Sequence, residues 1–330
     1  MQAVPETLYH EAQMIDMGQL PKPRMAVFTP TYNCNQSCSY CFYKEWNNKG
    51  NIEPYENIPK ILLQLKKLGV KSVEFEGGGD PLMTPNIEKY FKEANSLNMK
   101  IGLLTNGALF KDEIAETFLK HGNYVRFSLD TTDPEKYKKI RGTNDFQKVA
   151  DNIKAALDIK KKNKYSCDIS IKIGIVADTT QEDIYNTFHY FKDWGLDNIQ
   201  VKNLWDDKGI EYKKDITYKK LKEIDNFMTP VVKKVVYPKY MTEQCWITPV
   251  QIAVDVHGDF YLCPYYMYRK NSFKVGNIFE KPLAELWGSK EHLDAIRNIR
   301  ITECLKHNCR FQKYMRVIRN IQKTGRWEFL

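Results

Sequence analysis

Residues 29–43 read TPTYNCNQSCSYCFY, and the three cysteines of this segment decide how the rest of the chain is interpreted. Cys34, Cys38 and Cys41 have the spacing C-x3-C-x2-C and follow a short apolar run that predicts a strand. Three thiolates can hold three irons of a [4Fe–4S] cluster and leave the fourth iron without a protein ligand. A structural zinc ion would need a fourth ligand nearby, yet neither Cys nor His follows Cys41 before His121. The segment therefore predicts an iron–sulfur site with an open coordination position.

Around this segment, short apolar runs alternate with longer amphipathic runs, which predicts an α/β fold with a parallel sheet. Two helix starts carry capping signals: Asp133 precedes a proline, and Thr180 is followed three residues later by Asp183. A partial barrel and a doubly wound sheet both fit, and both place the site at the carboxyl ends of the strands. The predicted strands are 25–28, 72–75, 101–104, 124–129, 169–176 and 198–201, and the predicted helices lie near 54–68, 86–98, 111–120, 145–161, 181–194 and 217–235.

The pattern changes after about residue 240, where short apolar runs at 251–254 and 260–262 flank His257-Gly258 and predict a β-hairpin. Cys245 and Cys263 have the spacing C-x12-G-x4-C, and Cys304 and Cys309 follow as C-x4-C. Four thiolates can complete a fully ligated [4Fe–4S] cluster or a zinc site. We therefore divide the chain into an N-terminal extension (1–24), a core domain (25–238) and a small cluster-binding domain (239–330).

The first cysteine triad resembles that of the radical SAM superfamily. This resemblance implies a partial (β/α)6 TIM-like barrel with a small C-terminal auxiliary-cluster domain, built from a β-hairpin plus helices. It also implies that the open iron chelates S-adenosylmethionine (SAM) and that reductive cleavage of SAM yields a 5′-deoxyadenosyl radical. This radical removes a hydrogen atom from the substrate, while the protein positions the cofactor and excludes quenching. Cys34, Cys38 and Cys41 then hold the catalytic cluster.

The resemblance also assigns SAM contacts. Gly77, Gly78, Gly79 and Asp80 resemble the family's GGEP motif, which grips the methionine amino group, with Asp80 in place of the usual Glu. The remaining contacts implied for SAM are the Tyr40 backbone with adenine, Thr105 and Asn106 after the third strand, Ser128 and Asp130 with ribose, and Arg141 with the carboxylate. From the residues alone, Asp130 fits equally as a cap and Arg141 as half of a surface ion pair.

The C-terminal cysteines resemble the SPASM and twitch auxiliary domains of radical SAM enzymes. A full SPASM domain has seven cysteines and two auxiliary clusters. Because only Cys245, Cys263, Cys304 and Cys309 are present here, the one-cluster twitch form is the better match. The implied cofactors are therefore a SAM-binding [4Fe–4S] cluster, SAM, and a second, auxiliary [4Fe–4S] cluster, with zinc as the alternative for the last.

By resemblance to twitch enzymes, the leading prediction is a dehydrogenase-like oxidoreductase that oxidises a carbohydrate, aminocyclitol or nucleotide-sugar by two electrons. The first alternative is a peptide-modifying maturase that forms thioethers, epimerises residues or oxidises side chains. The short stretch before the first strand leads us to expect no separate leader-peptide domain. The second alternative is a non-enzymatic iron–sulfur or zinc module. Cys167 is either a small core residue or a thiol that donates hydrogen to a substrate radical.

Charge and hydropathy narrow the partners. The chain has 50 basic and 41 acidic residues, a net charge of +9, which favours anionic partners. We expect a small substrate that is anionic or nucleotide-linked, or a peptide, and not nucleic acid. No apolar run approaches the roughly 18 residues of a membrane span and no secretory signal is apparent, so we expect a cytoplasmic protein without a membrane partner. A flavodoxin or ferredoxin donor would suit the basic C-terminal residues: Arg310, Lys313, Arg316, Arg319, Lys323 and Arg326.

Anaerobic reconstitution should load about eight irons per chain, four for each cubane. Replacing Cys34, Cys38 and Cys41 together by Ala should leave about four irons and abolish SAM cleavage. Iron and zinc are measured by elemental analysis. Zinc in place of the second set of irons would contradict the auxiliary-cluster prediction.

Overall fold

A computed structural model describes residues 19–47, 53–204, 247–264 and 274–299, together with Met14, Cys245 and the backbone of 232–234. Cys304, Cys309 and the basic residues near the C-terminus lie outside the described residues. Most of the helix predicted near 217–235 lies outside them as well.

Ten strands form one sheet in the order β10-β9-β8-β1-β2-β3-β4-β5-β6-β7. The pairs from β8 through β1 to β7 are parallel, whereas β9 pairs antiparallel with both β8 and β10. The strands are β1 (Met25–Thr29), β2 (Ser72–Phe75), β3 (Lys100–Thr105), β4 (Tyr124–Ser128), β5 (Asp168–Ile175), β6 (Asn198–Asn203), β7 (Val232–Lys234), β8 (Gln251–Asp255), β9 (Asp259–Tyr261) and β10 (Lys274–Asn277).

All six strands predicted for the core are confirmed to within two residues at each end. Strands β1 to β7 lie side by side in chain order. A doubly wound sheet reverses its strand order at a switch point, so this unbroken order favours the partial barrel. The loops after β1 to β6 consequently meet at one edge of the sheet, where the cysteine segment 34–41 begins.

The helices cover the outer face of the sheet and bury apolar stripes against it. In the first, Ile58, Ile61, Leu62 and Leu65 are fully buried, which is the spacing of one helix face. None of the described helices is long and apolar enough to cross a membrane. They are α1 (Ile58–Leu68), α2 (Ile87–Ser96), α3 (Asp112–His121), α4 (Pro134–Arg141), α5 (Phe146–Asn163), α6 (Gln181–Phe191), α7 (Leu283–Leu286) and α8 (Lys290–Arg297).

Both predicted helix caps are confirmed. The Asp133 carboxylate accepts a hydrogen bond from the Lys136 N–H at the start of α4. Thr180 and Asp183 exchange side-chain and backbone hydrogen bonds at the start of α6, and this closes a capping box. Such caps satisfy N–H groups that the first turn of a helix leaves without an intrahelical partner.

Phenylalanine rings cross-brace the layer between sheet and helices. Each ring meets the next edge-to-face at centroid distances from 4.9 to 6.0 Å, a favoured aromatic geometry. This chain of contacts ties β1, β2 and β4 to α2 and α3, and so holds the strand ends that carry the site. In order of contact its members are Phe28, Phe75, Phe91, Phe118, Phe110 and Phe127.

The helix predicted near 217–235 is wrong at residues 232–234, which form β7 and pair with β6. The local sequence VVKKVV at 231–236 explains the difference. Four β-branched valines lose side-chain freedom in a helix and suit a strand.

The predicted C-terminal hairpin is confirmed as β8 and β9, and Gly258 takes the left-handed conformation at its turn (φ +82°). Strand β8 also extends the barrel sheet by pairing with β1, so the C-terminal region and the core share hydrogen bonds. Gln64 on α1 adds two more, since its amide donates to the Ile278 carbonyl (3.0 Å) and accepts from the Leu283 N–H (2.8 Å). The domain boundary at 238 stays a prediction.

Replacing Gln64 by Ala should lower the free energy of unfolding by about 1–2 kcal/mol, because two part-buried hydrogen bonds between α1 and the C-terminal region are lost. Gln147→Ala is the matched control, since that exposed amide contacts only Asp151 one turn along its own helix. The measurement is urea unfolding followed by circular dichroism. Equal losses for the two variants would show that the Gln64 contacts add nothing.

Candidate active site

The three cysteines of the first triad line one cavity of about 340 Å3 at the carboxyl edge of the sheet. Gly77, Gly78, Gly79 and Asp80 after β2 line the same cavity. The structure therefore brings together most of the site residues predicted from the sequence. Those that line the cavity with the cysteines and the glycine run are Tyr40, Thr105, Asn106, Ser128 and Arg141.

The glycine run holds the cysteine loop by backbone contact. The Gly79 N–H donates to the Thr31 carbonyl (2.8 Å), and the Asp80 N–H donates to the Asn33 carbonyl (2.9 Å). A Cβ at Gly79 would lie 1.9 Å from the Asn33 carbonyl oxygen, which no side chain can tolerate. Glycine is thus required here by the approach of two loops, whatever a ligand needs.

Glu53 supports the same loop and is not predicted by any motif. Its carboxylate accepts hydrogen bonds from the Tyr32 N–H (2.5 Å) and from the Thr31 hydroxyl. Only 5% of the Glu53 side chain is exposed, so these bonds compensate for its burial. The local sequence carries no signal for this role, because the contact depends on how the chain folds back onto the loop.

Asp80 joins the ends of β2 and β3. Its carboxylate accepts from the Leu82 N–H (3.0 Å), the Thr105 hydroxyl (2.9 Å) and the Asn106 N–H (2.7 Å). Burial raises the pKa of Asp80, and these hydrogen bonds oppose that effect. The Asn106 amide in turn donates to Asn35 inside the cysteine loop (2.7 Å). Asp80, which stands where the motif usually has Glu, therefore connects the loops after β2 and β3 by hydrogen bonds. Its contact with SAM stays a prediction.

Arg141, Asp130 and Tyr40 form a buried cluster beside the triad. An Arg141 terminal nitrogen lies 2.6 Å from an Asp130 carboxylate oxygen, and the Tyr40 hydroxyl donates to the same oxygen (2.8 Å). The other Asp130 oxygen accepts from the Gly174 N–H (2.8 Å). Burial and the charge of Asp130 raise the pKa of Tyr40 well above its ordinary value, so its hydroxyl stays protonated and donates. A surface ion pair is excluded for Arg141, which is 3% exposed.

The same cluster places Arg141 against the first triad. Its second terminal nitrogen lies 3.6 Å from the Cys38 sulfur, and its guanidinium lies over the Tyr40 ring (5.6 Å). Its Nε is buried with no hydrogen-bond acceptor among the described residues. A carboxylate entering the cavity would satisfy that N–H. Asp130 is not among the lining residues, so its predicted ribose contact remains a prediction.

The residues present fit an iron–sulfur cluster. Burial raises the pKa of Cys34 to about 12 and also raises that of Cys41, so these thiolates need a cationic partner. Among the described residues no three His, Cys, Asp or Glu side chains converge on a single ion. In a cubane each thiolate binds a different iron. The spread of three sulfurs around one cavity therefore suits a cluster.

The hairpin of β8 and β9 reaches the cysteine loop through Tyr32. The Tyr32 hydroxyl donates to Asp255 (2.9 Å), and its ring stacks on His257 at 6.1 Å. Burial and the charge of Asp259 raise the pKa of Asp255 to about 6. Close to this contact, the Tyr43 hydroxyl donates to the Pro264 carbonyl (3.4 Å), next to Cys263. The segment that carries the first triad thus contacts the segment that carries Cys263.

Three further cysteines lie within the described part of the chain. Cys263, at the end of the hairpin, is buried, and Cys245 is half-buried. Cys167 is fully buried in the hydrophobic core just before β5, at the opposite end of the strand from the triad. It does not line the cavity, and this position fits the small core residue and not the hydrogen donor.

Several lining residues carry no motif and are not predicted from the sequence. They are polar residues on, or directly after, strands that are otherwise apolar. In a strand every second residue points to the same face of the sheet. The polar positions within the predicted strands were the available signal. These residues are Glu76 after β2, Arg126 on β4, Lys172 on β5, and Gln200 and Lys202 on β6.

Comparison with known protein families shows to which family the chain belongs. Residues 28–195, half of the chain, match the Radical SAM superfamily, and residues 245–310 match the SPASM iron–sulfur cluster-binding domain. The chain is a member of the radical SAM superfamily. Its cofactors are a [4Fe–4S] cluster with SAM and auxiliary iron–sulfur chemistry in the SPASM region. Zinc is thereby set aside for the second group of cysteines.

Relatives of known sequence carry different names. A tungsten-containing aldehyde ferredoxin oxidoreductase cofactor-modifying protein from Pyrococcus furiosus is 25% identical over 79% of this chain and 80% of its own length. A probable GTP 3′,8-cyclase from Methanocaldococcus jannaschii is 35% identical over 43% of this chain and 49% of its own length. An uncharacterised protein from Archaeoglobus fulgidus is matched over 30% of its length. The chain thus spans less than half of some relatives it matches.

Solved structures confirm the fold. Streptococcus suis SuiB matches with a TM-score of 0.70 and 22% identity, covering 93% of this chain and 77% of SuiB. The structure of anSMEcpe with bound AdoMet matches with a TM-score of 0.61 and 21% identity, covering 83% of each chain. At these identities the likeness establishes the fold: a partial barrel with an auxiliary C-terminal region.

Gly79→Ala should prevent assembly of the first cluster, because the added Cβ collides with the Asn33 backbone and displaces the cysteine loop. The expected result is a loss of about four irons per chain with far-UV circular dichroism retained. Gly195→Ala is the control for backbone strain without a collision, since Gly195 has a φ of +86° but a Cβ there meets no atom within 4 Å, and it should keep its iron. Full iron loading of Gly79→Ala would contradict the proposed packing.

Proposed function

We propose that this enzyme reductively cleaves SAM and uses the resulting radical to oxidise a small substrate by two electrons. A carbohydrate, an aminocyclitol or a nucleotide-linked sugar would suit the site. One observation supports this most strongly: a single cavity holds three cluster-binding thiols together with Arg126, Lys172 and Lys202. The cysteines account for SAM chemistry, and the cations account for a small anionic substrate.

When bound, the clusters and SAM supply a carbon radical and a sink for one electron. The protein residues do the rest. Cys34, Cys38 and Cys41 would hold the SAM-binding cluster, and the buried Nε–H of Arg141, a residue that lines the cavity, would bind the methionine carboxylate. Ile140, Val176 and Leu204 form an apolar group beside the Tyr40 ring, which suits the adenine and keeps water away.

The oxidation balances without an added oxidant. A carbinol carbon gives one hydrogen atom to the adenosyl radical, and its hydroxyl gives up one proton. The remaining electron would pass to the second cluster when it is bound, and the carbinol would become a carbonyl. Cys245 and Cys263 stand at the hairpin, while Cys304 and Cys309 complete this site in our proposal. The contact between Tyr43 and Pro264 brings the two cysteine segments together.

Peptide modification is the second candidate. SuiB has been solved with its precursor peptide SuiA, and anSMEcpe with a peptide. These proteins share the fold of this chain at about 20% identity, so they support a peptide substrate only by analogy. The cationic lining of the cavity favours a small anion, whereas a peptide backbone is neutral.

The test is anaerobic turnover of reconstituted protein with reductant, SAM and panels of candidate sugars, aminocyclitols and peptides, followed by mass spectrometry. We expect 5′-deoxyadenosine to form together with a sugar or aminocyclitol product two mass units lighter, in equal amounts. Substrate deuterated at the reacting carbon should pass its label into 5′-deoxyadenosine. SAM turnover with no sugar or aminocyclitol oxidised, or with a peptide modified instead, would contradict the proposal.

A further inference from the structure

Three cations on neighbouring strands form one wall of the cavity: Arg126 on β4, Lys172 on β5 and Lys202 on β6, called here the cationic wall. The sheet register explains why they meet. Lys172 pairs with Ser128, two residues beyond Arg126, and Lys202 pairs with Gly174, two residues beyond Lys172. Since residues two apart share a strand face, all three side chains point into the barrel.

Two members of the cationic wall have donors that no described residue satisfies. The Arg126 Nε is buried and has no hydrogen-bond acceptor in the described part of the chain, and its guanidinium lies over the Tyr124 ring at 5.6 Å. The Lys172 ammonium makes no hydrogen bond or ion pair with the described residues. Burial lowers the pKa of Lys172. The charges of Asp130 and Glu76 oppose this effect, whereas Arg141 and Arg126 add to it. Burying a cation without a partner costs free energy of desolvation unless an anion binds beside it.

The other charges around the cavity do not neutralise this wall. Among the described residues, the acids that line it are Glu76 and Asp80. Asp80 is engaged by Leu82, Thr105 and Asn106, and Asp130 is paired with Arg141. Hydrogen bonds from neutral donors leave the charge of Asp80 in place, so three cations face the two carboxylates of Glu76 and Asp80, and one positive charge is left over.

The cofactors do not supply the missing negative charge. An oxidised cubane with three thiolates carries a net charge of about −1. SAM, with its sulfonium, ammonium and carboxylate, carries one net positive charge. The two cancel, and the surplus of one positive charge around the cationic wall remains.

We infer that the cationic wall binds a phosphoryl group of the substrate, which makes the substrate a phosphorylated small molecule. A phosphoryl group carries about −1.5 to −2 at neutral pH and three acceptor oxygens. The oxygens match the donors of one guanidinium and two ammonium groups, and the negative charge offsets the surplus positive charge. A carboxylate has two oxygens for the donors of three side chains. This inference rests on the proposed function, since it names the substrate class for the same cavity.

Binding of small anions to anaerobically reconstituted, SAM-loaded protein tests it, with isothermal titration calorimetry as the readout. The probes are glucose 6-phosphate and inorganic phosphate, with glucose and gluconate as matched molecules that lack the phosphoryl group. We expect both phosphate probes to bind and both controls to bind at least about tenfold more weakly, since one charge-assisted hydrogen bond is worth that factor. Binding of inorganic phosphate alone would point to a free anion as ligand and overturn the assignment to a substrate.

Variants locate the binding. Arg126→Gln and Lys172→Gln should each weaken phosphate binding at least about tenfold, and Lys172→Arg should retain it. Lys154→Gln, an exposed lysine on α5, is the control and should change nothing. Iron content and circular dichroism of each variant show whether it has folded, and the charge-retaining Lys172→Arg separates loss of charge from loss of structure.

The outcomes separate this inference from the proposed function. In one outcome, phosphate binding depends on Arg126 and Lys172 but SAM is not cleaved. This result would support phosphoryl binding by the cationic wall and contradict the proposed function. SAM cleavage and sugar oxidation with no saturable phosphate binding below about 10 mM would overturn the cationic wall alone. Tighter binding of gluconate than of glucose 6-phosphate, or binding unchanged in both Gln variants, would also overturn it.

Discussion

The close approach of the glycine run to the cysteine loop is the constraint on which the rest of this structure depends. Gly79 lies so near the Asn33 backbone that no side chain fits between them, and two backbone hydrogen bonds close the contact. The loop carries three thiols that must point at one cluster. Its residues 34–41 belong to neither a helix nor a strand. The loop is held instead by its hydrogen bonds to the glycine run after β2 and to the Glu53 carboxylate.

A second constraint is electrostatic. The buried pair of Arg141 and Asp130 costs desolvation energy on both sides, and such pairs are weak sources of stability. The contacts of Arg141 with the Cys38 sulfur and the Tyr40 ring suggest what the pair achieves instead. Asp130 keeps a cation in place beside a site that gathers thiolates. Because one terminal nitrogen is engaged by Asp130 and another by the sulfur, Nε remains for a ligand.

Local patterns account for what the sequence predicts. The C-x3-C-x2-C spacing, the capping box at Thr180 and the apolar runs of β1 to β6 are all contained in short segments. The amphipathic pattern near 217–235 predicts a helix, whereas residues 232–234 form strand β7. The valines on either side of Lys233 and Lys234 favour a strand. Glu53, Arg126 and Lys172 were not predicted as site residues. Their positions follow from loop docking and strand register, which depend on contacts between distant segments.

The central claim is that the iron left open by Cys34, Cys38 and Cys41 binds SAM. The most direct measurement is electron paramagnetic resonance of the anaerobically reduced Cys245→Ala/Cys263→Ala protein, which isolates the first cluster, recorded with and without SAM. SAM should change the spectrum of the reduced cubane, and Arg141→Lys should weaken this effect. A spectrum that stays the same at saturating SAM would contradict the central claim.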